Sequence, residues 1–143
     1  MRKSIFTLVL VTVAAALLLT ACGGQSSGPA PTPLPAAPAP YAGKTNALKG
    51  NSDAAAKGKD LFTQNCVSCH GADAKGDGPA GAALTPKPAN LVVVVPVASD
   101  DYLLWRISEG GAFAPFNSAM PAQKNNLSET EIWQVVTYLQ TLK

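Results

Sequence analysis

The chain has 143 residues, of which 47% are hydrophobic and 14% charged, and its formal net charge at pH 7 is +2. This length suits at most one domain, since domains cluster at roughly 100 to 150 residues, and residues 1–50 do not look globular. Lys and Arg form no cluster in the remaining part, so the sequence gives no reason to expect nucleic acid as a partner.

Residues 1–21 have the pattern of a secretory signal peptide. Two basic residues precede an uncharged apolar run from Ile5 to Leu19, which is too short and wrongly flanked for a good membrane span. The run ends in Leu-Thr-Ala-Cys, which resembles a bacterial lipobox and implies cleavage before Cys22 and lipidation of its thiol. A plain signal peptide or a retained anchor are the alternatives. In each case the folded part is expected outside the cytoplasm, near a membrane surface.

Residues 22–50 are predicted to be the lipidated cysteine and a linker. Their composition is dominated by Pro, Ala, Gly, Ser and Thr. Prolines lack amide donors and restrict the residues before them, so an extended, partly polyproline II tether without a core of its own is expected. Its reach lies between roughly 30 Å as a flexible coil and roughly 85 Å when fully extended.

Three main helices are predicted in residues 51–143. The first runs from about Ser52 to Cys66, capped by Asn51 or Ser52, with Gly58 costing helix stability of about 1 kcal/mol relative to Ala. The second opens at Ser99 and ends at the Gly-Gly pair 110–111, and the third begins with a capping box formed by Ser128 and Glu131.

Between the first two helices, residues 71–98 are rich in Gly and Pro and are predicted to form a long loop. The run Val92–Val95 suits a short buried strand by composition, but no partner strand is apparent. The prediction is therefore an all-α domain.

Two of the three cysteines lie in the pentapeptide Cys-Val-Ser-Cys-His, which ends in the chain's only histidine, His70. A thioredoxin-like redox site expects a βαβ pattern, which is not visible, and a zinc site needs four ligands, which the chain does not offer. The spacing instead matches c-type haem attachment. Thiols three positions apart on a helical turn reach the two vinyl groups of one porphyrin, so Cys66 and Cys69 are predicted to form thioethers, with His70 as an axial iron ligand.

A second axial ligand is predicted at Met120, the only methionine besides the initiator. It lies 50 residues after His70, in a loop between two predicted helices. A lone methionine is ordinarily a core residue, and that alternative stands beside the ligand hypothesis. A His/Met pair would complete six coordination, raise the reduction potential and leave no open position at the iron.

With these motifs, residues 52–143 resemble a small bacterial monohaem class I cytochrome c. The matching segments are GKDLF, CVSCHGADAKGDGPAGAALTPKPANL, ISEGG, AMPA and EIWQVVTYLQTL. The resemblance implies an all-α fold with one covalent haem c, in which the first and last helices cross closely at Gly58. It also implies that Phe62 packs against the last helix near Val135 and Tyr138.

In this family a proline carbonyl accepts the proton on Nδ1 of the haem-ligating histidine. The resemblance makes Pro79 the candidate, with Pro86 and Pro88 as alternatives. Such a bond orients the ligand and raises its basicity. Trp105 and Arg106 are candidates for contact with the haem or its propionates, against the alternatives of helix packing and a solvated charge.

The function implied is electron transfer rather than enzyme catalysis, with the haem iron cycling between Fe(II) and Fe(III). The protein is expected to be a lipid-anchored carrier, or a subunit of a respiratory or photosynthetic membrane complex. Expected redox partners are a quinol-oxidising complex, a terminal oxidase or a photosynthetic reaction centre. The alternative is a peroxidase-like haem enzyme or a gas sensor, which would require that Met120 not be a stable ligand.

Overall fold

A computed structural model of the protein describes residues 33–143, and residues 34–143 form one unit. The predicted signal peptide (residues 1–21), Cys22 and the first part of the linker (residues 22–32) lie outside the described residues. Within the described part, no helix is long and apolar enough to cross a membrane.

The described residues contain helices and no strand, which confirms the all-α prediction. A 3-10 turn, Val95–Val97, follows the third of five helices. The helices are α1 (Ser52–Asn65), α2 (Val67–His70), α3 (Leu91–Val94), α4 (Asp100–Glu109) and α5 (Glu129–Leu139).

The three main helices begin and end where the sequence places them, to within one residue. The Asn51 side chain accepts a hydrogen bond from the amide of Ala54 at the start of α1. Ser128 and Glu131 form both bonds of the capping box at the start of α5. Gly110, with φ of +71°, ends α4, and such a conformation favours glycine.

The prediction of a short buried strand at Val92–Val95 is wrong. The Asn90 side chain caps the amide of Val92, and the chain turns into α3. A single strand without a partner would leave its backbone groups unpaired, whereas a helical turn satisfies them locally. Val93 is 64% exposed as a result.

Helices α1 and α5 cross in close contact at Gly58, as the resemblance implied. A Cβ atom at this position would lie 1.9 Å from the backbone oxygen of Gln134, so only glycine fits there. One turn further along α1, Phe62 is 2% exposed, and its ring centroid lies 5.5 Å from that of Tyr138. The crossing thus fixes the end of α1, from which the Cys-x-x-Cys-His segment continues.

Helix α4 packs beside α5 and completes the core. The side chains that α4 and α5 bury against each other and against α1 are apolar and occur at helical spacing. They include Leu103, Leu104, Ile107, Ile132, Val135, Val136 and Leu139.

Residues 34–50, here called the N-terminal strap, pack against the helices. The expectation of a free tether through residue 50 is therefore wrong for this segment. Asn46 is 6% exposed, and its side-chain amide donates hydrogen bonds to Thr137 and Gln140 of α5. Lys44 forms an ion pair with Glu129 at 2.7 Å. Polar side chains among the prolines supply the contacts that a Pro-rich composition alone would not predict.

Candidate functional site

The two cysteines and the histidine lie on consecutive turns of backbone at the end of α1. Cys66 ends α1 and begins α2, and its carbonyl accepts hydrogen bonds from the amides of Cys69 (3.1 Å) and His70 (2.9 Å). All three side chains consequently line one cavity. Cys66 and Cys69 are both free thiols.

This cavity has a volume of about 400 Å³, within the range of small-molecule sites, and its walls are mainly apolar. Phe62 from α1, Leu103 from α4 and Val135 from α5 contribute to the walls. Met120 also lines it. The structure thus brings together the four residues that the sequence predicts as haem ligands and attachment points.

Burial changes the pKa of two of these groups. It raises the pKa of the Cys66 thiol to about 11, with a smaller contribution from the nearby Cys69. Burial also lowers the pKa of His70, and the neighbouring backbone of Ala89 partly opposes this shift. The imidazole is therefore neutral at pH 7, which is the form that binds a metal.

Pro79 does not accept a hydrogen bond from His70. Nδ1 of His70 is buried and has no partner of normal hydrogen-bond geometry within residues 33–143. The exposed Pro79 lies on the backbone of α2, where the following amide, that of Ala80, bonds to the carbonyl of Ser68 at 2.9 Å. The alternatives, Pro86 and Pro88, do line the cavity, and Ala89 beside Pro88 is the backbone that affects the imidazole.

The loop that carries Met120 is held by the two glycines after α4. The amide of Gly111 donates a hydrogen bond to the Met120 carbonyl at 2.9 Å, and the Ser118 amide donates to the Gly111 carbonyl at 2.7 Å. A Cβ atom on Gly110 would lie 2.4 Å from the Met120 carbonyl oxygen. This close approach fixes the backbone of Met120 against the end of α4.

One corner of the cavity is polar. Arg106, half-buried on α4, has its guanidinium carbon 3.5 Å from the ring centroid of Phe116, and Nη2 lies 4.0 Å from Sδ of Met120. Within the described residues, the buried atoms Ser118 Oγ and Gln123 Oε1 have no hydrogen-bond partner. Both residues line the cavity with Arg106. Buried polar groups ordinarily have partners, so this corner suits a ligand that carries negative oxygens.

The sequence reasoning named Arg106 but missed Ser118 and Gln123. No spacing or motif marks these two residues, since they meet Arg106 only through the fold of the loop. Trp105 does not line the cavity. It packs instead against Phe113 and Phe116, with ring centroids 5.6 Å and 5.5 Å away, which matches the alternative of helix packing.

These residues fit a covalently attached haem. The site offers two thiols at thioether spacing, an imidazole, a methionine sulfur, apolar walls and a cationic corner for carboxylates. A family model described as cytochrome c matches residues 55–143. The chain belongs to the cytochrome c family.

Cytochrome c-554(547) of Halothiobacillus neapolitanus is 34% identical to this cytochrome c over 91 residues, which are 62% of this chain and 97% of that protein. The cbb3-type cytochrome c oxidase subunit FixPc of Rhizobium leguminosarum bv. viciae is 30% identical over 85 residues. That match covers 59% of this chain but only 26% of the oxidase subunit.

The fold of this cytochrome c is similar to that in a crystal structure of cytochrome cL from Methylophaga aminisulfidivorans. The TM-score is 0.52 at 24% identity, and the match covers 68% of this chain and 58% of the other. Membership of the family establishes a covalently bound haem c and electron transfer by that haem.

Proposed function

We propose that this cytochrome c is an electron carrier with a closed, six-coordinate haem, held by thioethers to Cys66 and Cys69 and ligated by His70 and Met120. The observation that carries this proposal is the convergence of all four side chains on one apolar cavity. Methionine and histidine together favour the reduced state and leave no iron position for a substrate.

The haem supplies one-electron chemistry between Fe(II) and Fe(III), and the chain's own residues supply its surroundings. Apolar side chains such as Phe62 and Leu103 exclude water from the cavity, and the buried imidazole is neutral. The glycine pair after α4 holds the Met120 backbone in one position. A rigid, dry pocket reduces the reorganisation that accompanies each electron transfer.

The rival function, a haem enzyme or gas sensor, has little support at this site. General acid–base catalysis needs a titratable group near the bound substrate. Among the described residues that line the cavity there is no Asp or Glu, and His70 is the chain's only histidine. The cationic corner suits the haem propionates better than a catalytic role.

Arg106 is expected to bind a propionate in that corner, with Ser118 as a further donor. Arg106→Gln should lower the reduction potential, because a positive charge near the haem disfavours the ferric state. Arg106→Lys should restore most of the difference. Potentiometric titration measures the effect.

Lys57→Gln is the matched control, since it removes one positive charge from an exposed position that does not line the cavity. Equal potential shifts in the two Gln variants would contradict a propionate contact by Arg106.

We further propose export and anchoring through a lipid on Cys22, supported by the pattern of residues 1–22. Because the N-terminal strap is docked, only about eleven residues separate Cys22 from Leu34, with a reach of at most roughly 40 Å. A reach this short favours a partner in the same membrane, such as a quinol-oxidising complex, a terminal oxidase or a photosynthetic reaction centre. The similarity to an oxidase subunit supports the second of these.

Replacing the proposed methionine ligand tests the closed site. Met120→Ala should lower the reduction potential, abolish the weak methionine-to-iron charge-transfer band of the oxidised protein, and let the reduced iron bind carbon monoxide. These are measured by potentiometry and absorption spectroscopy on the mature, haem-loaded protein.

Leu84→Ala is the control for this experiment, because Leu84 also lines the cavity but has no atom that ligates iron. It should keep the charge-transfer band. An unchanged band and potential in Met120→Ala would refute the assignment of Met120.

A further inference from the structure

The N-terminal strap reaches the cavity that holds the haem in the proposed function. Leu34, at the start of the strap, lines this cavity, and Ala37 is buried at 8% exposure in the same core. The far end of the strap is fixed independently, by the buried bond between Asn46 and Thr137. A segment that the sequence suggests is a passive tether therefore forms part of the cavity wall.

Between these two ends, Tyr41 contacts the end of α4. Its hydroxyl donates a hydrogen bond to Oε1 of Glu109 at 2.5 Å, and the other oxygen of that carboxylate, Oε2, accepts from Nζ of Lys124 at 2.7 Å. The two oxygens of Glu109 thus join two segments that have no other side-chain hydrogen bond to each other among the described residues. Bonds to an ionised carboxylate are stronger than neutral ones.

Lys124 lies four residues after Met120, at the point where the methionine loop returns to α4. Its amide donates to the Ser108 carbonyl at 3.2 Å, and the amide before it, of Gln123, donates to the Ile107 carbonyl at 3.0 Å. Glycines 110 and 111 hold the Met120 carbonyl from the other side. The chain Tyr41–Glu109–Lys124 therefore attaches the strap to the base of the loop that bears Met120.

We propose that the N-terminal strap braces the methionine loop, with Tyr41 as a positioning residue that acts through Glu109 and Lys124 to keep Met120 in place. This inference rests on the proposed ligation of the haem iron by Met120. When the brace is lost, the loop opens more often, and external ligands compete with Met120 more successfully. The strap thereby controls access to the haem and is more than a spacer.

Imidazole is a suitable probe, because it binds ferric haem only when the methionine leaves. The haem-loaded mature protein is titrated with imidazole, and the loss of the methionine charge-transfer band gives the dissociation constant. Tyr41→Phe should bind imidazole about tenfold more tightly, the equivalent of one charge-assisted hydrogen bond. Tyr138→Phe is the matched control, since Tyr138 packs on Phe62 and its hydroxyl makes no hydrogen bond within residues 33–143.

A double-mutant cycle separates the brace from general loss of stability. Tyr41→Phe combined with Lys124→Met should bind imidazole little more tightly than either single variant, because both act through Glu109. Faster hydrogen exchange of the Gly111 amide in Tyr41→Phe, with unchanged exchange in α1, would also support the brace. Effects that multiply in the double variant would overturn it.

The outcomes distinguish this inference from the proposed function. An unmutated protein that lacks the charge-transfer band would refute ligation by Met120, and the brace with it. A protein that has the band, with equal imidazole affinity in Tyr41→Phe and the unmutated chain, would refute the brace alone.

Discussion

Gly58→Ala is expected to lower the free energy of unfolding by about 3 kcal/mol, at the upper end of typical overpacking costs. The added Cβ would lie 1.9 Å from the Gln134 carbonyl oxygen and 2.4 Å from its carbon. Both atoms belong to the backbone of α5, so no side chain can rotate away and the two helices must separate. The intrinsic gain from replacing Gly with Ala in a helix is only about 1 kcal/mol and does not offset this.

Denaturant unfolding of the haem-loaded protein measures this change. Lys57→Ala is the control, since Lys57 is the exposed neighbour in α1 and alanine is a good helix former. Its free energy of unfolding should be unchanged or slightly higher. A Gly58→Ala variant as stable as Lys57→Ala would show that α1 and α5 do not cross at this distance.

Cys66→Ser together with Cys69→Ser is expected to abolish covalent haem attachment. No thiol then remains in the motif to form a thioether, so haem should separate from the chain under denaturing electrophoresis. Ser68→Ala, between the two cysteines and exposed, should retain haem fully. Haem that stays bound to the denatured double variant would contradict the assignment of the two cysteines.

The same double variant should also be much less stable. An unfilled cavity of about 400 Å³ costs on the order of 10 kcal/mol at the usual cost per unit volume, which is comparable with the whole stability of a small domain. A preparation that loses its haem should therefore unfold, with loss of helical circular dichroism. Retention of full helicity without haem would show that the core around Phe62 and Val135 is sufficient alone.

The parts of the fold that the sequence predicted well depend on local chemistry. The Asn51 cap, the capping box at Ser128 and the glycine end of α4 each involve residues within a few positions of one another. The pentapeptide ending in His70 is local in the same way. Such short-range signals are read directly from residue order.

Other parts depend on contacts between residues distant in sequence. Asn46 bonds to Thr137, 91 positions away, and Tyr41 bonds to Glu109, 68 positions away. Nothing near Asn46 or Tyr41 indicates these partners, so composition suggested a free tether. The corner formed by Arg106, Ser118 and Gln123 was incomplete for the same reason.

The Pro79 hypothesis was wrong for a geometric reason. It relied on the nearest proline after the motif, but the loop folds onto the outer backbone of α2 there, with the Ala80 amide bonded to Ser68. The chain returns to the imidazole only at Ala89, after the further alternatives Pro86 and Pro88. Sequence distance was a poor guide to which carbonyl approaches His70.

The most direct test of the central claim, a closed His/Met haem that carries electrons, is absorption spectroscopy of the unmutated, haem-loaded protein. We expect the weak methionine-to-iron charge-transfer band in the oxidised form and no carbon monoxide binding in the reduced form. If the band is absent and carbon monoxide binds readily, Met120 is not a stable ligand, and the electron-carrier account is contradicted in favour of a haem enzyme or gas sensor.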